Sequence, residues 1–108
     1  KEIFKNATRT MATCCKEALE ATQMSAEQID WIVPHQANLR ITEAVAHFLK
    51  FPMERVISTV HETGNTSAAS IPIAFDMAYR DGRIKRGQTI LLTAFGAGLT
   101  SGSIILKF

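Results

Sequence analysis

The sequence predicts an α/β fold, a mixed sheet with helices on both faces, in the order α-β-α-β-α-β-β. Three observations predict it. Segments with helical spacing alternate with short apolar runs, which is the pattern of a sheet covered by helices. The apolar runs are nearly continuous, as expected of strands buried on both faces. The chain has 108 residues, 46% apolar and 20% charged, which suits one compact unit and excludes a disordered chain.

Residues 4 to 22 carry the first helix: Phe4, Ala7, Met11, Cys14, Ala18 and Thr22 form one stripe, with Cys15 and Leu19 beside it. Ser25 followed by Gln28 has the order of a capping box and starts a short helical turn. Ile29 to Val33 is apolar and rich in β-branched residues, hence a buried strand that Pro34 ends. Asn38 to Lys50 is a second amphipathic helix, with Ile41, Ala44, Val45, Phe48 and Leu49 on its apolar face. Phe51-Pro52 breaks it, and Arg55 to Val60 reads as the next strand. A third helix covers roughly Ser67 to Arg80. It leaves almost no polar stripe, so a second layer is expected on its far side. Pro72 requires that helix to begin near Ala69 or to kink. Gly82 is available as its left-handed cap. Gln88 to Phe95 and Ser103 to Phe108 are two closing strands, joined as an antiparallel hairpin.

Composition excludes several functions. No apolar run approaches the ~20 residues that span a bilayer. A net charge of +2 without an aromatic-interleaved basic stripe gives no case for nucleic acid. Cys14 and Cys15 are adjacent and have no second pair, so no disulfide framework is expected, and a reducing cytoplasm fits best. Both lie on the apolar side of a helix with no cationic neighbour to activate them. No His, Cys and carboxylate spacing suggests a metal site.

Chemistry concentrates at three turns. Pro34-His-Gln-Ala-Asn38 follows the first strand, Gly64-Asn-Thr-Ser67 the second and Phe95-Gly-Ala-Gly98 the third. Ligands of open α/β sheets sit outside the carboxyl ends of the strands, so all three could serve one site. Each turn also has a plain structural reading. His35 would bond backbone at a helix entry, Asn65 would cap a helix, and Gly96 and Gly98 would be hairpin residues. Neither Gly-rich turn has the lysine of a phosphate loop or the spacing of a dinucleotide fingerprint. His47, one turn after Glu43, reads as part of a solvated pair, and His61 carries little weight.

Together, WIVPHQANLRI, GNTSAAS, DGRIKRGQ and LLTAFGAGLTSGS closely resemble the C-terminal half of beta-ketoacyl-acyl carrier protein synthase III, over essentially the whole chain. The resemblance implies the C-terminal half of a thiolase-like fold across residues 1–108, with a second sheet covering the apolar third helix. It also implies an N-terminal half, carrying the nucleophilic cysteine, that this chain lacks. The opening on Lys1 rather than methionine fits a piece of something larger. Neither Cys14 nor Cys15 has the nucleophile's context, so the chain alone is expected to be inactive.

The implied activity of the full-length protein is an acyltransferase reaction that initiates type II fatty-acid synthesis. An acyl-CoA starter, commonly acetyl-CoA, is joined to malonyl-acyl carrier protein by decarboxylative Claisen condensation, with no cofactor and no metal. The implied roles are His35 and Asn65 as catalytic hydrogen-bond donors and the Ala97 backbone N–H as part of an oxyanion hole. Asn38 and Phe95 would contact substrate, and Arg40 and Gln36 would contact acyl carrier protein, with Lys50 and Arg55 widening that basic patch. The implied partners are acyl carrier protein, the N-terminal half and, in the cytoplasm, a second copy in a homodimer; nucleic acid and membrane are not. Ala97 replaces a common Gly, Leu99 and Ser101 stand where aromatics are common, and Thr63 stands where a bulkier residue is expected. These departures bear on acyl-chain preference. The alternatives are a starter-condensing enzyme of polyketide or other secondary metabolism, and a non-catalytic module that binds thioesters or a carrier protein.

Overall fold

The computed structural model describes residues 2–35, 39–58, 70–95 and 101–108. Helix α1 (Glu2–Ala21) leads through a 3₁₀ turn (Ala26–Gln28) to strand β1 (Trp31–Pro34). Helix α2 (Leu39–Phe48) and a second 3₁₀ turn (Met53–Arg55) follow. Helix α3 (Ser70–Arg80) precedes strands β2 (Thr89–Phe95) and β3 (Ser101–Lys107).

The sheet is mixed and runs β1-β2-β3. β1 pairs with β2 in parallel, from Trp31 opposite Ile90 to Pro34 opposite Thr93. β2 and β3 form the expected antiparallel hairpin, from Thr89 opposite Lys107 to Phe95 opposite Ser101. On the other side of β1, Val56 makes a single parallel bridge to Ile32, and the Ile57 amide donates to the Ile32 carbonyl at 2.9 Å. The strand expected over Arg55 to Val60 is thus one bridge among the described residues. Arg55 belongs to the preceding turn, and Thr59 and Val60 lie outside the described residues.

Alternation along the strands sends side chains to two cores. Ile32, Leu91 and Ile105 face α1 and α2, where Met11, Ala12, Cys15, Leu19, Val45, Ala46 and Leu49 close the layer. Val33, Ile90, Leu92 and Leu106 face α3 through Ala74 and Ala78. Burying each Leu, Ile or Val contributes about 1.5–3 kcal/mol, so these two layers set the fold.

Both stripes on the first two helices are turned slightly from the positions expected. In α1 the buried line runs Met11, Ala12, Cys15, Leu19, with Cys14 half-buried. In α2 it runs Thr42, Val45, Ala46, and Phe48 is 46% exposed. The face of α2 that meets both α1 and the sheet excludes Phe48, whose ring lies under the Lys16 Nζ at 4.6 Å.

Three helix ends share one closure. At α1, Met24 N–H donates to the Leu19 carbonyl (2.9 Å) and Gln23 takes φ 58°. At α2, Phe51 N–H donates to Ala46 (2.8 Å) and Lys50 takes φ 56°. At α3, Arg83 N–H donates to Ala78 (3.0 Å), with the expected cap Gly82 at φ 91°. These are Schellman closures, and only the last has the glycine that makes the left-handed residue inexpensive. Pro72 falls in the first described turn of α3, and the capping-box bond from Ser25 N–H to Gln28 Oε1 is present at 2.8 Å.

Candidate active site

β1, β2 and the Val56 bridge run in the same direction, so their carboxyl ends point to one edge of the sheet. This is the carboxyl edge at which open α/β sheets bind ligands. The three sequence motifs follow these three segments in the sequence. Gln36, Asn38, Gly64, Asn65 and Ala97 lie outside the described residues, as does His61. Of Phe95 the structure describes only the backbone, which ends β2 opposite Ser101.

His35 is the first residue beyond β1. Its amide donates to the Thr93 carbonyl at 2.9 Å, extending the parallel ladder one step past Pro34. The neighbouring Val33 and Pro34 are fully buried, so the backbone that presents His35 is anchored in the sheet. His35 itself is half-buried, and that burial pulls its pKa below the ordinary imidazole value. A neutral imidazole has one N–H to donate and one nitrogen to accept, so it can donate to an uncharged carbonyl.

Beneath this edge lies a buried polar chain. The Ser103 hydroxyl donates to Thr93 Oγ1 at 2.9 Å, and Cys15 Sγ lies 3.7 Å from Ser103 Oγ. Thr93 is 1% exposed. The chain ties α1, β2 and β3 together at the register position of Pro34. Sequence reasoning assigned Thr93 and Ser103 no role. The signal for them was a hydroxyl inside each of two apolar strand runs, a place where burial demands a partner. Burial pushes the Cys15 thiol up, outweighing the hydrogen bonds from Thr93 and Ser103, so it stays protonated and unreactive.

Arg40 is exposed in the first turn of α2, near the edge that carries His35. Lys50 and Arg55 follow α2, whereas Arg40 lies in its first turn. They line a 230 Å³ pocket with Ala26, Glu27, Ile29, Phe51 and Pro52, beside the residues that lead into β1. α2 runs back along the sheet, so its far end lies about 15 Å from Arg40 along the helix axis. Among the described residues, no group of three His, Cys, Asp or Glu side chains could hold a metal ion. No helix is long and apolar enough to cross a membrane.

Residues 19–108 match the family described as 3-Oxoacyl-[acyl-carrier-protein (ACP)] synthase III C terminal. The chain belongs to this family. Beta-ketoacyl-[acyl-carrier-protein] synthase III of Methylococcus capsulatus is 55% identical over 107 residues, covering 99% of this chain and 33% of the relative. Among solved structures, 3-oxoacyl-(acyl carrier protein) synthase III from Pseudomonas aeruginosa superposes with a TM-score of 0.97 at 44% identity, over 100% of this chain and 34% of that one. A priming beta-ketosynthase from a polyketide biosynthetic pathway gives 0.88 at 34% identity, over 99% of this chain and 33% of that one. The chain spans about a third of the length of the curated relatives it matches. Membership in the synthase III family bears out the fold class read from the sequence, the C-terminal part of a thiolase-like fold.

Proposed function

We propose that this chain is the C-terminal part of a condensing enzyme that joins an acyl-CoA starter to malonyl-acyl carrier protein and so initiates fatty-acid synthesis. A cysteine in the preceding part of the protein takes the acyl group from coenzyme A. Malonyl-acyl carrier protein then loses carbon dioxide. The electron pair of the broken C–C bond passes into the thioester as an enolate, and its carbon attacks the acyl-cysteine. The cysteine thiolate leaves, and the β-ketoacyl product remains on the carrier.

In this reading His35 and Asn65 donate hydrogen bonds to the thioester oxygen while negative charge develops there. The Ala97 N–H does the same for the acyl-cysteine carbonyl. Donors of this kind, preorganised away from water, each contribute ~10²–10³ in rate. Asn38 and Phe95 line the approach, and Arg40 with Gln36 meets the acidic carrier protein. Lys5 and Arg9 are exposed on α1, on the same side of the sheet as α2, and supply further positive charge. The reaction needs no cofactor, and the reading places the full-length protein in the cytoplasm as a homodimer.

The observation that carries this reading is the family match, together with the place of His35, first beyond β1 at the carboxyl edge, where burial lowers its pKa. The test is made in the full-length protein. His35→Ala and Asn65→Ala are expected to lower decarboxylation of malonyl-acyl carrier protein by ~10²–10³ while leaving acyl transfer from acyl-CoA to the cysteine intact. Loss of acyl transfer in both variants would sink the assignment.

A second reading is a starter-condensing enzyme of polyketide synthesis, favoured by the likeness to the priming beta-ketosynthase. Comparing acyl-CoA starters and carrier proteins with the full-length protein decides between the two.

A further inference from the structure

Gly102 lies in the interior of β3, opposite Ala94 of β2. A glycine weakens a strand and is expected there only at a bulge, at a strained backbone, or where something must come close. The pairing is continuous from Thr93–Ser103 through Ala94–Gly102 to Phe95–Ser101, so there is no bulge. The positive-φ glycines among the described residues are Gly82 and Gly87, so Gly102 has an ordinary strand conformation. A Cβ added to Gly102 would meet no described atom within 4 Å. Nothing in the packing of the described residues asks for glycine.

The surroundings say what does. Thr93 and Ser103 point toward α1, so Ala94 and Gly102 point to the opposite face, which α3 covers only in part. On that face Ile71, Leu92, Ala94, Gly102 and Ile104 line an apolar trough of about 380 Å³. A second trough of about 350 Å³, sharing Ile71 and Leu92, runs on past Phe75 and Tyr79. Ile104 is 64% exposed, and of the apolar residues along α3 only Ala74 and Ala78 are fully buried. Where Ala94 and Gly102 stand opposite each other, the two smallest residues of the lining leave a notch in the trough. That notch is one register step past the Pro34–Thr93 pair, level with His35.

We propose that the Ala94–Gly102 notch seats backbone from the part of the protein that precedes Lys1, and that Gly102 sets how closely that part approaches His35. The proposal rests on reading the chain as the C-terminal part of a condensing enzyme. The two-thirds of the family's length that this chain does not span supply an occupant of sufficient size. A missing Cβ on an apolar floor suits a close-packed backbone rather than a polar ligand. Gly102 is then a positioning residue. It touches no substrate but holds the cysteine-bearing part at the distance condensation needs.

The test uses the full-length protein with Gly102→Ala, Gly102→Val and Ile104→Ala. The readouts are the melting temperature, acyl transfer from acyl-CoA to the cysteine, and condensation with malonyl-acyl carrier protein. A graded fall in melting temperature is expected from Ala to Val at position 102. The loss in condensation is expected to be about tenfold or more for Val and larger than the loss in acyl transfer, because a small displacement between halves falls on the step that needs both. Ile104→Ala should also lower the melting temperature, since its side chain would be covered. An unchanged or raised melting temperature for Gly102→Val, as a β-branched residue gives on a solvent-facing strand, overturns the proposal. So does a fall in melting temperature that tracks dissociation of a dimer, because a second copy would then be the occupant. If the wild-type protein shows no condensation yet Gly102→Val still destabilises it, the functional reading fails and the seat stands. If condensation is robust and all three variants behave as wild type, the reverse holds.

Discussion

The amide of His35 donates to the carbonyl of Thr93, and the Thr93 side chain accepts from Ser103, so one residue of β2 ties the candidate catalytic histidine to the buried interior. The two bonds leave Thr93 in different directions, its carbonyl along the ladder and its hydroxyl toward α1. The edge that presents His35 is therefore braced by both the sheet and a helix.

Thr93→Val keeps the shape of the side chain but removes Ser103's acceptor. In the full-length protein the expected cost is about 1–2 kcal/mol, since a buried hydroxyl loses a partner. Denaturant melts of Thr93→Val, Ser103→Ala and the double variant should show non-additive losses. Strict additivity would mean that the 2.9 Å bond contributes nothing.

Burial holds the His35 pKa below its ordinary value of about 6.5. Decarboxylation of malonyl-acyl carrier protein by the full-length protein should therefore stay level as pH falls through that value and decline only below it. The same shift has a consequence for stability. Between the ordinary and the lowered pKa the unfolded chain binds the proton more readily than the folded one. The His35 contribution is therefore complete above the ordinary value and erodes as pH falls toward the lowered one. A rate profile already falling above pH ~6.5 would remove His35 from its assigned role.

Arg40→Glu should raise the KM for malonyl-acyl carrier protein roughly fivefold or more, mainly through slower association, and leave the KM for acyl-CoA nearly unchanged. The effect should shrink as salt rises. Equal effects on both substrates would point to a disturbed helix rather than a lost carrier contact.

Lys50 closes α2 at φ 56°, a conformation that costs a residue with a Cβ about 1–2 kcal/mol. Lys50→Gly removes that cost and adds backbone entropy to the unfolded chain, for a net stabilisation of about 0.5–1 kcal/mol. A denaturant midpoint shift at constant m-value would check it. The contrast with Gly102 is direct: glycine is absent from a position whose conformation favours it and present at one whose conformation does not.

What the sequence revealed followed from periodicity. The spacing of Phe4, Ala7, Met11, Cys14, Ala18 and Thr22 marked α1, beside the line that is buried, and the β-branched and apolar runs marked β1, β2 and β3. The alternation of helix and strand also predicted that β1 and β2 run parallel, with their carboxyl ends at one edge. Periodicity could not show the exact rotation of α2, which left Phe48 at the surface, because the neighbour that decides it is α1. Nor could it foresee that Arg55 belongs to a 3₁₀ turn, which takes it out of the strand expected there. The Cys15–Ser103–Thr93 chain was invisible for a simple reason: Cys15 and Ser103 are 88 residues apart and meet only once the sheet is built.

The parallel register of β1 on β2 bears on the order in which the molecule assembles. The β2–β3 hairpin closes a short stretch of chain, whereas the pairing of Pro34 with Thr93 must bring together segments separated by two helices. Closing the longer stretch costs more entropy before any contact rewards it, so the hairpin can form early and β1 docks onto it late. The junction that presents His35 is thus expected to be among the last features to appear during folding.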